Sequence, residues 1–167
     1  KNRNFSGKAT SRSRNKLGNK MNNHRQLLAA IVAELTVLDP GCSVILGGSM
    51  GRDEEREDSD IDMFVCLSRE PEHFTDLIGQ GNRDRWHTYT EREGVTIDIG
   101  WTLLDALPEE IPECTEMVPY VFVRAKIIRD PSGKAYRWIQ AMRRWLDCNQ
   151  WVEEILSNQY EEMRRHK

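Results

Sequence analysis

Val44-Ile45-Leu46-Gly47-Gly48-Ser49-Met50-Gly51-Arg52, an acidic loop over residues 53–59, and Asp60-Ile61-Asp62-Met63-Phe64-Val65-Cys66-Leu67 form the stretch that decides the fold. In its second half Ile61, Met63, Val65 and Leu67 take alternate positions. Side chains alternate faces along a strand, so Asp60 and Asp62 point the same way while the apolar set packs on a core. Further on, Val95, Ile97 and Ile99 alternate with Thr96, Asp98 and Gly100, which puts a third carboxylate on the polar face of another half-buried strand. Three carboxylates converging at close range repel and push some pKa values up unless cations neutralise them. Oxygen-only ligands, with no His or Cys in the motif, suit two Mg²⁺ or Mn²⁺ ions rather than Zn²⁺.

An isolated Asp-x-Asp is an ordinary solvated polar face. Here the pair opens an apolar strand, follows a strand-Gly-Gly-Ser turn and has a third acid on a later strand. The turn lacks the Gly-Lys-Ser/Thr end of a phosphate-binding P-loop and the third glycine of a dinucleotide fingerprint. The acidic run after it has no glycine at the turn position of an EF-hand, which argues against a calcium loop.

The order of hydrophobic strand, Gly47-Gly48-Ser49, Asp60-Ile61-Asp62 and later Asp98 resembles the polymerase β-like nucleotidyltransferases. Within it, Gly48-Ser49-Met50-Gly51-Arg52 is similar to the Gly-Ser-x-Gly-Arg of nucleotidyltransferases that modify aminoglycosides. The resemblance covers residues 27–133. It implies an α+β nucleotidyltransferase fold, a mixed twisted sheet of four or five strands backed by helices, followed by a helical C-terminal segment. It further implies that Gly47, Gly48, Ser49 and Arg52 hold a nucleoside triphosphate. Asp60 and Asp62 would hold two metal ions, and Asp98 would ligate the one near the acceptor and is a candidate general base. Arg52 has a plainer alternative role, balancing the acidic loop that follows it.

Around this motif, Leu27, Leu28, Ile31, Val32 and Leu35 recur at helical spacing, and Asp39-Pro40-Gly41 stops that helix. The pattern then predicts a strand at 42–46, a short helix at 71–78, a loop at 79–82 and a hairpin of strands 86–90 and 95–101. A short helix or loop follows over 103–117, and a strand over 121–128 ended by Asp130-Pro131-Ser132-Gly133. Two helical stripes close the chain: Ala135, Trp138, Ile139, Met142 and Leu146, then Val152, Ile155, Leu156 and Met163. Trp138, Trp145 and Trp151 read as packing residues.

Charge is unevenly placed. Residues 1–20 carry Lys1, Arg3, Lys8, Arg12, Arg14, Lys16 and Lys20 without an acid, which leaves −10 for residues 21–167 out of a total of −3. That basic head is Ser-, Asn- and Gly-rich and too poor in apolar residues to order itself. It reads as a tag or an upstream extension, with a nucleic-acid-binding arm or a transit peptide as the alternatives. The organisation expected is head 1–20, catalytic domain 21–133, and C-terminal helices 134–167 that pack on the domain or lead to a helical one.

The acidic body argues against a nucleic-acid substrate, which needs a positive track. No apolar run reaches the length of a membrane span, and Cys42, Cys66, Cys114 and Cys148 are too scattered for a disulfide framework, so a cytoplasmic protein with reduced thiols is expected. His24, His73, His87 and His166 show no ligand spacing, and none is assigned to the site.

Three functions are consistent with these features. The first is metal-dependent transfer of a nucleoside monophosphate to a small hydroxylated acceptor such as an aminoglycoside. The second is addition of AMP to a protein partner, as in toxin–antitoxin pairs; the third is a binding module that kept the fold without turnover. An acceptor site drawn from so short a chain would be completed by a homodimer or a partner, unless the chain is a fragment.

Overall fold

The computed structural model describes the backbone of residues 11–69, 87–107 and 124–150, with side chains from Asn23 on, and the single positions Glu154, Asn158 and Arg165. Helix α1 spans Ser11–Leu38, so it starts inside the stretch assigned from composition to an unordered head. Strands β1 (Ser43–Leu46), β2 (Ile61–Leu67), β3 (His87–Arg92), β4 (Val95–Leu103) and β5 (Lys126–Arg129) form one sheet in the order β3-β4-β2-β1-β5. Only β2 and β4 are parallel; the other neighbours are antiparallel. Helix α2 is a single turn, Gly48–Gly51, and α3 spans Lys134–Cys148. The expected α+β fold with a mixed sheet of four or five strands is therefore the one found.

The sheet has two covered faces because its strands alternate. Ile61, Met63, Val65 and Leu67 of β2 pack with Ile97, Ile99 and Trp101 of β4 against Leu27, Leu28, Ile31 and Leu35 of α1. On the other face Ile45 and Cys66 pack against Ala135, Trp138, Ile139 and Met142 of α3, so the first C-terminal stripe covers the sheet directly. The Trp138 ring stacks on Phe64 at 5.6 Å between centroids, a packing role as expected. Burial pushes the Cys66 thiol up to about 12, helped by the nearby Asp130 charge, so this cysteine is an inert core residue.

Turn chemistry sets the ends of the elements. The β3–β4 hairpin closes on Glu93 and Gly94, both left-handed (φ 55° and 73°), the conformation that a two-residue hairpin turn requires. The indole N–H of Trp101 donates to Thr88 Oγ1 at 2.7 Å across that hairpin. At the other side, Asp130 accepts from Ser43 Oγ at 2.7 Å and from the Tyr136 backbone N–H at 2.8 Å, tying β1 to the first turn of α3. Residues 121–123 of the strand expected at 121–128 lie outside the described residues, as do the elements at 71–78 and 79–82, Trp151 and the apolar stripe of Val152, Ile155, Leu156 and Met163.

The end of α1 is welded to the sheet by Asp39, which is 2 % exposed. Its carboxylate accepts from the Gly41 N–H at 3.0 Å and the Ser68 N–H at 2.6 Å, joining the helix stop to the residue after β2. A buried acceptor that satisfies two backbone donors leaves both unpaired when removed. Asp39→Ala should therefore lower unfolding stability by about 3 kcal/mol, within the range for stranded buried donors. The check is a shift of the urea midpoint at unchanged m-value.

Candidate active site

Asp62 and Asp98 are register partners in the parallel β2–β4 ladder, so their side chains stand side by side on one face. Both are half-buried. Further along β2 on the same face come Phe64 and Cys66, which α3 covers, so the two carboxylates lie on the stretch beyond the helix. Asp60, also half-buried, precedes β2 by one residue. The strand alternation read from sequence thus brings Asp62 and Asp98 together, with Asp60 next to them in the chain.

The turn before β2 is built around Asp62. Gly47 N–H donates to the Asp62 carbonyl at 2.8 Å, extending the β1–β2 ladder by one bond. Gly48 then takes φ +56°, and a Cβ there would stand 1.7 Å from Asp62 Oδ2. Backbone and carboxylate are in direct apposition, so glycine is required both sterically and conformationally. Gly51 is equally constrained, since a Cβ would meet the Leu46 carbonyl oxygen at 2.5 Å. Ser49 Oγ donates to Ser59 Oγ at 2.9 Å, which fastens the turn to the residue before Asp60. Arg52, its side chain 10 % exposed, donates through Nε to Glu54 Oε2 at 2.9 Å. It stands beside the turn, engaged with the acidic loop.

Helix α1 holds that loop from outside. The buried His24 bonds the Ser59 carbonyl at 3.0 Å; a carbonyl only accepts, so Nε2 carries the proton. Arg25 pairs with Glu55 at 2.7 Å, and this hydrogen bond holds the Glu55 carboxyl below its ordinary range.

Strand β3 adds two residues that the sequence reading did not assign. Tyr89 is the register partner of Asp98 across the hairpin, so the two side chains share one face of the sheet. His87 Nε2 lies against Asp98 Oδ1, and the His87 ring meets Tyr89 edge-on at 4.7 Å. The Tyr89 phenol is held above its ordinary pKa by burial first, then by the Asp98 charge and hydrogen bond, then by the charges of Asp62 and Asp60. Asp98 is the register partner of both Tyr89 and Asp62, so β3, β4 and β2 set these three residues in one row across the sheet. The signal was in the sequence: a two-residue turn at Glu93-Gly94 fixes the pairing, and counting back from it sets residue 89 opposite residue 98.

The donor chemistry fits hard divalent cations, with carboxylate oxygens throughout and a glycine, Gly48, where a side chain would collide with the Asp62 carboxylate. Among the described residues, no group of three or more His, Cys, Asp or Glu is drawn tightly enough to hold a metal as it stands. Asp98 is engaged with His87 and Tyr89.

Asp98→Asn removes the nearest charge on the Tyr89 phenol, so its ionisation should move to lower pH. Alkaline absorbance titration, with Tyr89→Phe subtracted, measures this. An unmoved phenol would mean that burial alone holds it up.

Residues 28–129, from the buried stripe of α1 to the end of β5, match the family model described as a nucleotidyltransferase domain. No curated protein matches the chain. With that match spanning the whole sheet, the turn and all three carboxylates, the chain belongs to the nucleotidyltransferase domain family and is a nucleotidyl-transferring enzyme.

Proposed function

We propose that the chain moves a nucleoside monophosphate from a nucleoside triphosphate to a hydroxyl of a small cationic acceptor of the aminoglycoside kind, with release of pyrophosphate. The observation that carries this reading is the side-by-side pairing of Asp62 and Asp98 in the β2–β4 ladder, with Asp60 two residues before Asp62, immediately ahead of the same strand. Asp60 and Asp62 are the residues to hold two Mg²⁺ or Mn²⁺ ions, and Asp98 the one to reach the ion on the acceptor side. What such a pair supplies is charge neutralisation and alignment of the triphosphate with the attacking oxygen. Asp98 takes up the proton of the acceptor hydroxyl. Gly47, Gly48 and Ser49 leave the triphosphate an approach clear of side chains, and Arg52 reaches it by exchanging Glu54 for a phosphate oxygen. Residues 21–133 form the catalytic unit in this reading, and a second copy or a partner completes the acceptor side.

The body charge of −10 supports a cationic acceptor, because opposite charge raises its local concentration. A protein hydroxyl is the second reading, and one observation favours it: a tyrosine is the cross-strand partner of Asp98.

The test is transfer of label from α-labelled nucleoside triphosphates to aminoglycosides and to proteins, with and without Mg²⁺. Asp60→Asn and chelation should each lower transfer by about 10³-fold or more, the several kcal/mol that metal alignment supplies. For a cationic acceptor KM should rise with salt; a salt-insensitive KM favours a protein acceptor. Retained turnover in Asp60→Asn would sink the reading.

Gly48→Ala probes the cradle. The added methyl must push the Asp62 carboxylate aside, and a displacement of that size costs about 10²-fold in turnover. Wild-type turnover in this variant would show that Asp62 works from another position.

A further inference from the structure

We propose that Tyr89 is itself an acceptor, and that in the absence of an external hydroxyl the enzyme nucleotidylylates this phenol within its own chain. The inference rests on the nucleotidyl transfer proposed at Asp60, Asp62 and Asp98. An acceptor hydroxyl must reach the carboxylate that takes its proton, on the side of the site open to the α-phosphate. Tyr89 is placed for this in the protein as folded: it is the cross-strand partner of Asp98 and shares its face of the sheet.

Three other hydroxyls nearby are committed elsewhere. Ser49 and Ser59 are bonded to each other, and Thr88 is buried and receives the Trp101 indole N–H. Tyr89 is 58 % exposed, so a nucleotide attached to it extends toward solvent without displacing the core. Among the described residues, β3 is an edge strand with β4 on one side.

The step balances without a further reactant. A bond forms between Tyr89 Oη and the α-phosphorus, and the bond from that phosphorus to the oxygen bridging to the β-phosphate breaks. Pyrophosphate leaves with the electron pair, and the phenolic proton passes to Asp98 and on to water. The product is a tyrosine phosphodiester beside Asp98, which blocks the acceptor side. External acceptor and Tyr89 therefore compete for one carboxylate.

The experiment incubates the full chain with Mg²⁺ and each α-labelled nucleoside triphosphate, without acceptor, and follows intact mass and peptide mapping. The expected result is one nucleotide per chain on the peptide carrying Tyr89, at a rate per chain that does not change on dilution. Label should be lost in Tyr89→Phe, checked for an unchanged thermal midpoint, and in Asp60→Asn. It should also decline as an external acceptor is added. Label that persists in Tyr89→Phe, or that slows on dilution, overturns the proposal. No label despite Asp60-dependent nucleotide binding overturns it while sparing the transferase reading. Loss of that nucleotide binding in the wild type would bring down the transferase reading and this one with it.

Discussion

Asp62 and Asp98 are held side by side in the β2–β4 ladder, although like charges on directly paired residues destabilise a sheet. What holds them is the opposite face. Ile61, Met63, Val65 and Leu67 alternate with the site residues on β2, and Ile97, Ile99 and Trp101 do so on β4; all are buried against α1. Each such side chain contributes roughly 1.5–3 kcal/mol of burial, so the apolar set outweighs the repulsion of one carboxylate pair. A slip of one residue would turn the carboxylates into the core and the aliphatics into solvent. One alternation thus fixes the register and the site together.

The approach to the carboxylates depends on pieces with no chemistry of their own. Gly48 can lie against Asp62 only because it has no side chain, and Gly51 lets the single turn of α2 close on the end of β1. The acidic loop would repel itself if free. His24, Arg25 and the Ser49–Ser59 bond pin it at three points, and Arg52 and Lys126 neutralise Glu54 and Asp53. Asp39 fixes α1 relative to β2, so the helix that holds the loop and the strand that carries Asp62 move as one body.

Much of this was legible in the residues. The alternation over 61–67 and 95–99 announced two half-buried strands and the face of each carboxylate, because period two is a strong signal when one face is purely apolar. The hairpin was legible from its turn residues, and the stop of α1 from Asp39-Pro40-Gly41. Strand order was not, because it depends on which long-range pairs form, and the resemblance implied only a mixed sheet of four or five strands. The choice of sheet face by α3 was equally hidden: an amphipathic stripe says that a helix packs, not where. His87 and Tyr89 escaped because their importance lies in register, not in residue type. Arg52 shows the limit from the other side. Its position beside the turn was legible, but the choice between a phosphate and Glu54 is a competition between charges that spacing does not resolve.

The field of these carboxylates also bears on the hydroxyls beside them. Burial first, and then the charges of Asp98, Asp62 and Asp60, hold the Tyr89 phenol above its ordinary pKa. In the proposed reaction the positive charge that would offset this field arrives with the cations that accompany a triphosphate, so a nucleophile at Asp98 would be activated only once its electrophile is bound. Until then Asp98 is occupied by the protein's own His87 and Tyr89, which relieves part of the repulsion from Asp62. An incoming acceptor must replace those contacts on equal terms, and its advantage over them is whatever binding energy the rest of its surface contributes. A small, weakly held alcohol has little of this, whereas a polycation drawn to an acidic surface has more. In the proposed reaction, selectivity for the acceptor would thus follow from the occupied state of one carboxylate.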